Sequence, residues 1–523
     1  MTKQLHSASH KPIYRECSLL FCGLAAILLL THSGFDNSEA VYHYSIAQEI
    51  LTNGRLSFDH PREGIYTVAP NGRTYASHEI GNTIFLLPVA LVNNLVENRL
   101  TSALGASKVE MITRFLTASM GAVLCAAGAT FLYLTLRLVF AQSARAATLG
   151  ALMFLFSSFY WSYSRMIFDG VLCSVLLTGG MLFLFLYARD PKKQALLVVA
   201  FALLGFGVIT RLSMVLPLVA AFIYLLLTPG LGRSQAMRIT IVVAMTLAPF
   251  ACWQMYYNHL RTGHAMTSPV QTEQYAAVNG LTGDLSAGLA GLLFSPGKSI
   301  FVYCPIALLS LALIRRFWRA HKNEAVFVCV LSILWLLLHA KLQNWYGAWG
   351  WGPRHFVTIA PVLTLPFLVS RLSIRAPFAR MGTVILLLFG FLLGAASMIS
   401  NYHYRLSLAN SEGRLDDRWI VWSPNKNQAV DLLVAATRNI QRVFTERPYD
   451  IVPGASKLNI EASNTINIWL FTASRSGIPA SILTIIAAIL TVVSGVSFWL
   501  LTSASPAASG ERLTHIHCVS SGE

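Results

Sequence analysis

Two acids, Asp36 and Glu39, stand in the stretch Gly34-Phe35-Asp36-Asn37-Ser38-Glu39, directly after the first long apolar run. A carboxylate at an apolar boundary has its pKa pushed up, which suits a general base. The same residues also suit a helix start. Asp36 or Ser38 could cap the helical stretch at 40–52, with Glu39 in its first turn. Both readings are open at this level. A second candidate is Gln343-Asn344-Trp345-Tyr346-Gly347-Ala348-Trp349-Gly350-Trp351-Gly352-Pro353-Arg354-His355. Its Gly-x-Gly-Pro-Arg turn ends on an arginine fork that can grip phosphate oxygens. The faces of Trp345, Trp349 and Trp351 can stack on sugar or isoprenoid. An interfacial aromatic belt with a snorkelling arginine explains the tryptophans as well, but explains the turn less completely.

Weaker candidates surround these two. Phe294-Ser295-Pro296-Gly297-Lys298-Ser299 could hold an anion on its backbone amides and Lys298, or be only a turn. It lacks the Gly-x-x-x-x-Gly-Lys spacing of a nucleotide loop. Arg165 and Arg211 fall at span ends and could contact phosphate or simply mark a boundary; Asp169 reads as a boundary charge. His78 and Glu79 could contact substrate or be solvated loop residues. His515-Ile516-His517-Cys518 has the form of a metal tract but is expected to be a flexible tail.

The elements that hold these residues follow from composition. The 523 residues are 55% hydrophobic and only 12% charged, about half the roughly 25% of soluble domains. Mean hydropathy is +0.56. The expected fold is therefore an all-α polytopic membrane protein. The net charge of +16 needs no nucleic acid, since basic cytoplasmic loops beside anionic lipid account for it. The eight cysteines lie in or beside apolar runs or in the tail, so no disulfide framework is expected. The first run has no small-residue cleavage site behind it and reads as a retained anchor.

Apolar runs occur at about 17–33, 80–96, 112–136, 146–164, 170–188, 194–210, 212–228, 239–257, 299–314, 325–340, 355–370, 381–399 and 478–502. Most approach the roughly 20 residues of a spanning helix. The run at 80–96 is short, follows His78-Glu79 and contains Pro88. Charge decides its status. Arg137 and Arg145; Arg189, Lys192 and Lys193; Arg233 and Arg238; Arg315, Arg316, Arg319 and Lys322; and Arg371, Arg375 and Arg380 fill five short loops. All five face the cytoplasm only if 80–96 dips into the outer leaflet without crossing. Twelve transmembrane helices plus a membrane-dipping helix result, with both termini inside. Outside lie 34–111, 258–298, 341–354 and 400–477. The chain then divides into a transmembrane region at 1–399, an outer extramembrane segment at 400–477, a last span at 478–502 and a tail at 503–523. Residues 427–444 carry apolar positions at helical spacing. No Asp, Glu, Lys or Arg falls inside a span, which argues against an ion-coupled transporter.

Taken together, these residues resemble the GT-C superfamily of membrane glycosyltransferases that use polyprenyl-phosphate sugars, which includes protein O-mannosyltransferases and the lipid A aminoarabinose transferase. The resemblance covers most of the membrane region. It rests on the Asp36 segment, on Gly72-Arg73-Thr74-Tyr75-Ala76-Ser77 before the dipping helix with Pro88, on Ser295-Pro296-Gly297-Lys298-Ser299 with Tyr303-Cys304-Pro305, and on Gly350-Trp351-Gly352-Pro353-Arg354. It implies an acidic first-loop residue as base or acceptor-orienting group, here Asp36 with Glu39 in support; Asp36-Asn37 stands where several relatives have adjacent acids.

The resemblance further implies a polyprenyl-phosphate-linked sugar as donor and an envelope glycan, lipid or protein as acceptor. Asp36 would deprotonate the acceptor hydroxyl as it attacks the anomeric carbon, inverting its configuration. Arg354, with Lys298, Arg211 or Arg165, would stabilise the departing phosphate. His78 and the three tryptophans would contact substrate. The families differ in metal dependence, so a divalent metal is an open cofactor. The expected place is a bacterial inner membrane with the site on its outer face. A flippase of lipid-linked glycans and a non-catalytic lipid-glycan-binding subunit are the other classes.

Overall fold

The computed structural model describes residues 11–33, 40–59, 66–228, 233–269, 280–347, 350–371, 374, 376–411, 421–445, 455–475 and 477–503. Asp36, Glu39, Trp349 and the His515–Cys518 tract lie outside the described residues. The fold is all-α and polytopic, with one small hairpin. Its helices are α1 Lys11–Leu30, α2 Ala40–Asn53, α3 Gly81–Leu104, α4 Ala106–Leu134, α5 Ala144–Phe156, α6 Asp169–Arg189, α7 Gln194–Val208, α8 Val215–Leu226, α9 Arg233–Thr262 and α10 Leu285–Phe294. They continue with α11 Ile300–Tyr303, α12 Pro305–Ala320, α13 Lys322–Ala340, α14 Ala360–Ser370, α15 Pro377–Ile399, α16 Tyr402–Ser411, α17 Gln428–Phe444, α18 Lys457–Ser463, α19 Trp469–Arg475 and α20 Ala480–Ser503. Strands β1 Tyr66–Val68 and β2 Thr74–Ala76 pair antiparallel, Tyr66 opposite Ala76.

Among the described residues seven helices are long and apolar enough to cross a membrane. Shorter apolar helices, including α5, α7 and α14, fall on other expected spans. Helix α6 is apolar all round and buried along most of its length, so it forms the centre of the bundle. Helices α9, α15 and α20 instead expose apolar side chains, among them Ile241, Met245, Leu388 and Val492. Such faces suit lipid, where no water penalises them.

Several expected spans are shorter as helices than as apolar runs, and all lose length at the end that carries the candidate residues. Helix α5 stops at Phe156, and the chain continues through a 3-10 turn at Trp161–Arg165. The α7–α8 junction unwinds at Arg211 into a second 3-10 turn at Leu212–Met214. The run at 355–370 begins with a third, Arg354–Phe356, and becomes α14 only at Ala360. Non-helical backbone at such depth needs protein partners for its amides. These three turns bring Arg165, Arg211 and Arg354 onto loops instead of regular helix.

Two differences from the expected elements have local causes. The run at 299–314 breaks at Cys304, because Pro305 cannot donate to the preceding turn and starts α12 at its first position. Helix α12 then runs to Ala320, so Arg315, Arg316 and Arg319 are helical. The run at 80–96 extends to Leu104 as α3, whose second half carries Asn93, Asn94, Glu97 and Arg99. It is not among the spanning helices. Asn93 Nδ2 donates to Tyr44 Oη at 2.7 Å and to Thr117 Oγ1 at 2.8 Å, tying α3 to α2 and α4.

The charge pattern carries a topological prediction. Single-cysteine variants at Asp190 and Trp318 should resist a membrane-impermeant thiol reagent added outside intact cells, and react after permeabilisation. Labelling of either from outside would overturn the orientation.

Candidate active site

The loop after α13 is held by its backbone. Lys298 is fully buried, and its Nζ donates to Gly350 O at 2.7 Å and Gly352 O at 3.2 Å. Gln428, at the start of α17, donates to Gly350 O and accepts from Gly352 N, both at 3.3 Å. Tyr163 Oη donates to Trp351 O at 2.7 Å. Three successive carbonyls are thus fixed from three different elements. Burial, with Arg354 nearby, lowers the Lys298 pKa well below the ordinary lysine range. The amine expected to meet a phosphate is engaged here by the loop itself.

That loop wraps the stem of Arg354. Gly347 has φ +73° and lies so close that a Cβ there would sit 2.7 Å from Arg354 Cγ. A Cβ at Gly350 would sit 2.4 Å from Arg354 Cδ. Both positions therefore need glycine, one for its backbone and both for space. The Trp351 ring, expected to face substrate, is buried; it packs edge-on to Tyr303 at 4.9 Å and lies 5.9 Å from the Tyr402 ring. Its large apolar ring gains more from that core than from the rim. Trp345 lies over Gly291 of α10 and edge-on to Tyr346.

Arg211 joins this loop to α6. Its Nη2 lies 3.0 Å from His355 Nδ1, and its Nη1 lies 3.5 Å from Asp169 Oδ1. A guanidinium only donates, so His355 Nδ1 accepts. His355 Nε2 then carries the ring proton and donates to Asn344 O at 3.3 Å. His339 sits beside it, with ring centroids 5.1 Å apart. Asp169 heads α6, where the helix dipole favours an acid. His355, Arg211 and Asp169 therefore form one chain of charged and polar groups, and Arg354 precedes His355 on the same turn. Arg165 is placed apart from it: Nη1 donates to Ser397 O at 2.6 Å, and the guanidinium lies 4.2 Å over the Tyr402 ring.

The segment that leads into α3 docks beside Arg211, because Gly81 N donates to Ile209 O at 2.7 Å. This brings His78 and Glu79 to the same region. Glu79 is buried, 3.9 Å from Arg261 Nη2, and accepts from Ser268 Oγ at 3.2 Å. Arg261 Nη1 donates to the carbonyls of Ala76, Ser77 and His78. His78 is half-buried, its ring 5.9 Å from that of His43, and His43 Nδ1 lies 3.1 Å from Thr83 Oγ1. The flanks of the Asp36 segment are fixed as well. His32 Nε2 lies 3.1 Å from Ala118 O, and Trp469 N donates to His32 O at 2.8 Å.

Arg261 and His355 are positioning residues that sequence reading passed over. In the sequence Arg261 is one more basic residue after a long apolar run, and His355 the last residue of an aromatic loop, so neither signals its partners. Arg261→Ala should lower stability by roughly 3 kcal/mol, since it strips a buried carboxylate of its partner. Thermal unfolding in detergent would check this, and an unchanged midpoint would contradict it. Among the described residues no three His, Cys, Asp or Glu side chains group as metal ligands.

Residues 106–256 match the family model described as dolichyl-phosphate-mannose-protein mannosyltransferase. That stretch runs from the start of α4 into α9 and includes Arg165, Asp169 and Arg211. Among curated proteins no sequence matches. Similar solved structures include ArnT from Cupriavidus metallidurans bound to undecaprenyl phosphate, at 13% identity and TM-score 0.46, covering 94% of this chain and 76% of that one. Another is the oligosaccharyltransferase AglB from Archaeoglobus fulgidus, in complex with an inhibitory peptide and a dolichol-phosphate, at 11% identity and TM-score 0.48, covering 86% of this chain and 61% of that one. The match over 106–256 bears out the resemblance of this chain to the GT-C superfamily of polyprenyl-phosphate-dependent membrane glycosyltransferases.

Proposed function

We propose that the chain is an integral membrane glycosyltransferase that moves a sugar from a polyprenyl-phosphate donor to an acceptor hydroxyl on the outer face, with inversion. The observation that carries this reading is the chain from His355 through Arg211 to Asp169, with Arg354 heading the same turn as His355, on unwound span ends beside the segment that leads into α3. Two arginines at an apolar boundary suit a phosphate whose lipid lies in the bilayer.

In this scheme the base is Asp36, with Glu39 in support. It removes the acceptor proton while the oxygen attacks the anomeric carbon. The bond from that carbon to the phosphate oxygen breaks, and polyprenyl phosphate leaves with the electron pair. Arg354 and Arg211 meet the charge that grows on the leaving phosphate. Lys298 acts through the loop, and Arg165 through Tyr402, as positioning residues. His78, Trp345 and Trp349 are the proposed substrate contacts. The acceptor is an envelope glycan, lipid or protein, and the membrane is a bacterial inner membrane.

Purified protein in lipid nanodiscs, given polyprenyl-phosphate mannose or aminoarabinose and a mixture of envelope acceptors, should release free polyprenyl phosphate and a product of inverted anomeric configuration. Donor crossing the bilayer without bond cleavage would identify a flippase. Saturable donor binding without cleavage would identify a non-catalytic subunit.

A further inference from the structure

A cavity of about 630 Å³ opens between the C-terminal end of α17 and the segment carrying α19. It lies at the other end of α17 from Gln428, the residue that holds the arginine-bearing loop. Arg442, Arg475, Asn439, Asn464, Phe444 and Phe471 line it, and among the described residues the lining holds no carboxylate. The cationic side is built in place. Arg442 Nη1 donates to Asn439 Oδ1 at 2.8 Å, and the buried Asn439 amide is itself held by Ser400 Oγ, Ser463 O and Thr465 O. An arginine oriented in advance loses less freedom when an anion arrives.

The apolar side is exposed where a soluble anion would have no use for it. Phe444 is 81% exposed and Phe471 41% exposed. Arg475 ends α19 shortly before Ala480, where the spanning helix α20 begins. The pocket therefore sits at the mouth of a membrane helix, with cations and bare aromatic rings side by side. That combination matches an amphiphile with an anionic head at the interface and chains in the bilayer.

We propose that this pocket binds the phosphate head group of an anionic phospholipid from the adjoining leaflet, separately from the donor site. Full-length protein in mixed phosphatidylglycerol–phosphatidylcholine nanodiscs, released and analysed by native mass spectrometry, tests this. Wild type should retain phosphatidylglycerol in preference to phosphatidylcholine. Arg475→Ala should weaken that preference about fivefold, and Arg442→Gln with Arg475→Ala about 25-fold, at about 1 kcal/mol for each surface arginine. Arg475→Lys should keep most of it, and the variants should keep the wild-type unfolding midpoint in phosphatidylcholine alone. Equal retention of the two lipids by wild type, or an unchanged preference in the double variant, would overturn the proposal. Displacement of the lipid by millimolar glycerol phosphate would replace the lipid with a soluble phosphate ester as occupant.

Discussion

Asp36→Asn is expected to keep the protein folded and able to bind lipid-linked donor, and to lower turnover by about 10²–10⁴, the usual worth of a general base. Asn is nearly isosteric and still caps a helix, so a purely structural role for Asp36 predicts little change. The described residues on either side of it are fixed: the chain after α1 contacts α4 and α19, and α2 is bound to α3 through His43 and Thr83. Glu39→Gln belongs beside it. Normal turnover in Asp36→Asn with loss in Glu39→Gln would transfer the role to Glu39. Full activity in both, in a protein that does transfer sugar, would remove the first-loop acids from the mechanism.

Arg354→Ala should reduce kcat/KM for the donor by about 10²–10³, the cost of losing one preorganised donor to developing charge. Its unfolding midpoint should change little, because the loop around it is held by Lys298, Gln428 and Tyr163. Lys298→Ala should behave in the opposite way. It removes bonds to two buried carbonyls and should cost roughly 2–3 kcal/mol of stability. Its donor kinetics, measured below the unfolding transition, should fall less than those of Arg354→Ala. An equal or larger donor loss at Lys298 with an unchanged midpoint would put the lysine on the phosphate and reverse the two assignments.

A membrane chain shows much of its fold in one dimension. Apolar length and the cytoplasmic excess of Lys and Arg depend on the bilayer, an external frame that acts on each segment separately. The helices were legible for that reason. So was α17, whose apolar positions recur at helical spacing and whose Asn427 caps it through Ala429 N and Val430 N. The Gly-x-Gly-Pro-Arg turn was legible too, since glycine and proline act on their own backbone.

What no local pattern encodes is which side chain meets which. An arginine at a span end has the same sequence signature whether it faces lipid phosphate, a carboxylate or a carbonyl. Packing decides, and packing joins residues far apart in the chain. Lys298 meets Gly350, Arg211 meets His355, Arg261 meets the 76–79 backbone, and Trp351 enters a core with Tyr303 and Tyr402. The sequence alone therefore determined the helices, their order and the residue types gathered at the span ends. Only the tertiary structure separated Arg211, beside the segment that leads into α3, from the lysine and tryptophan that are tied into the loop. The reason is that a buried amine or ring takes its role from the partners that replace its water.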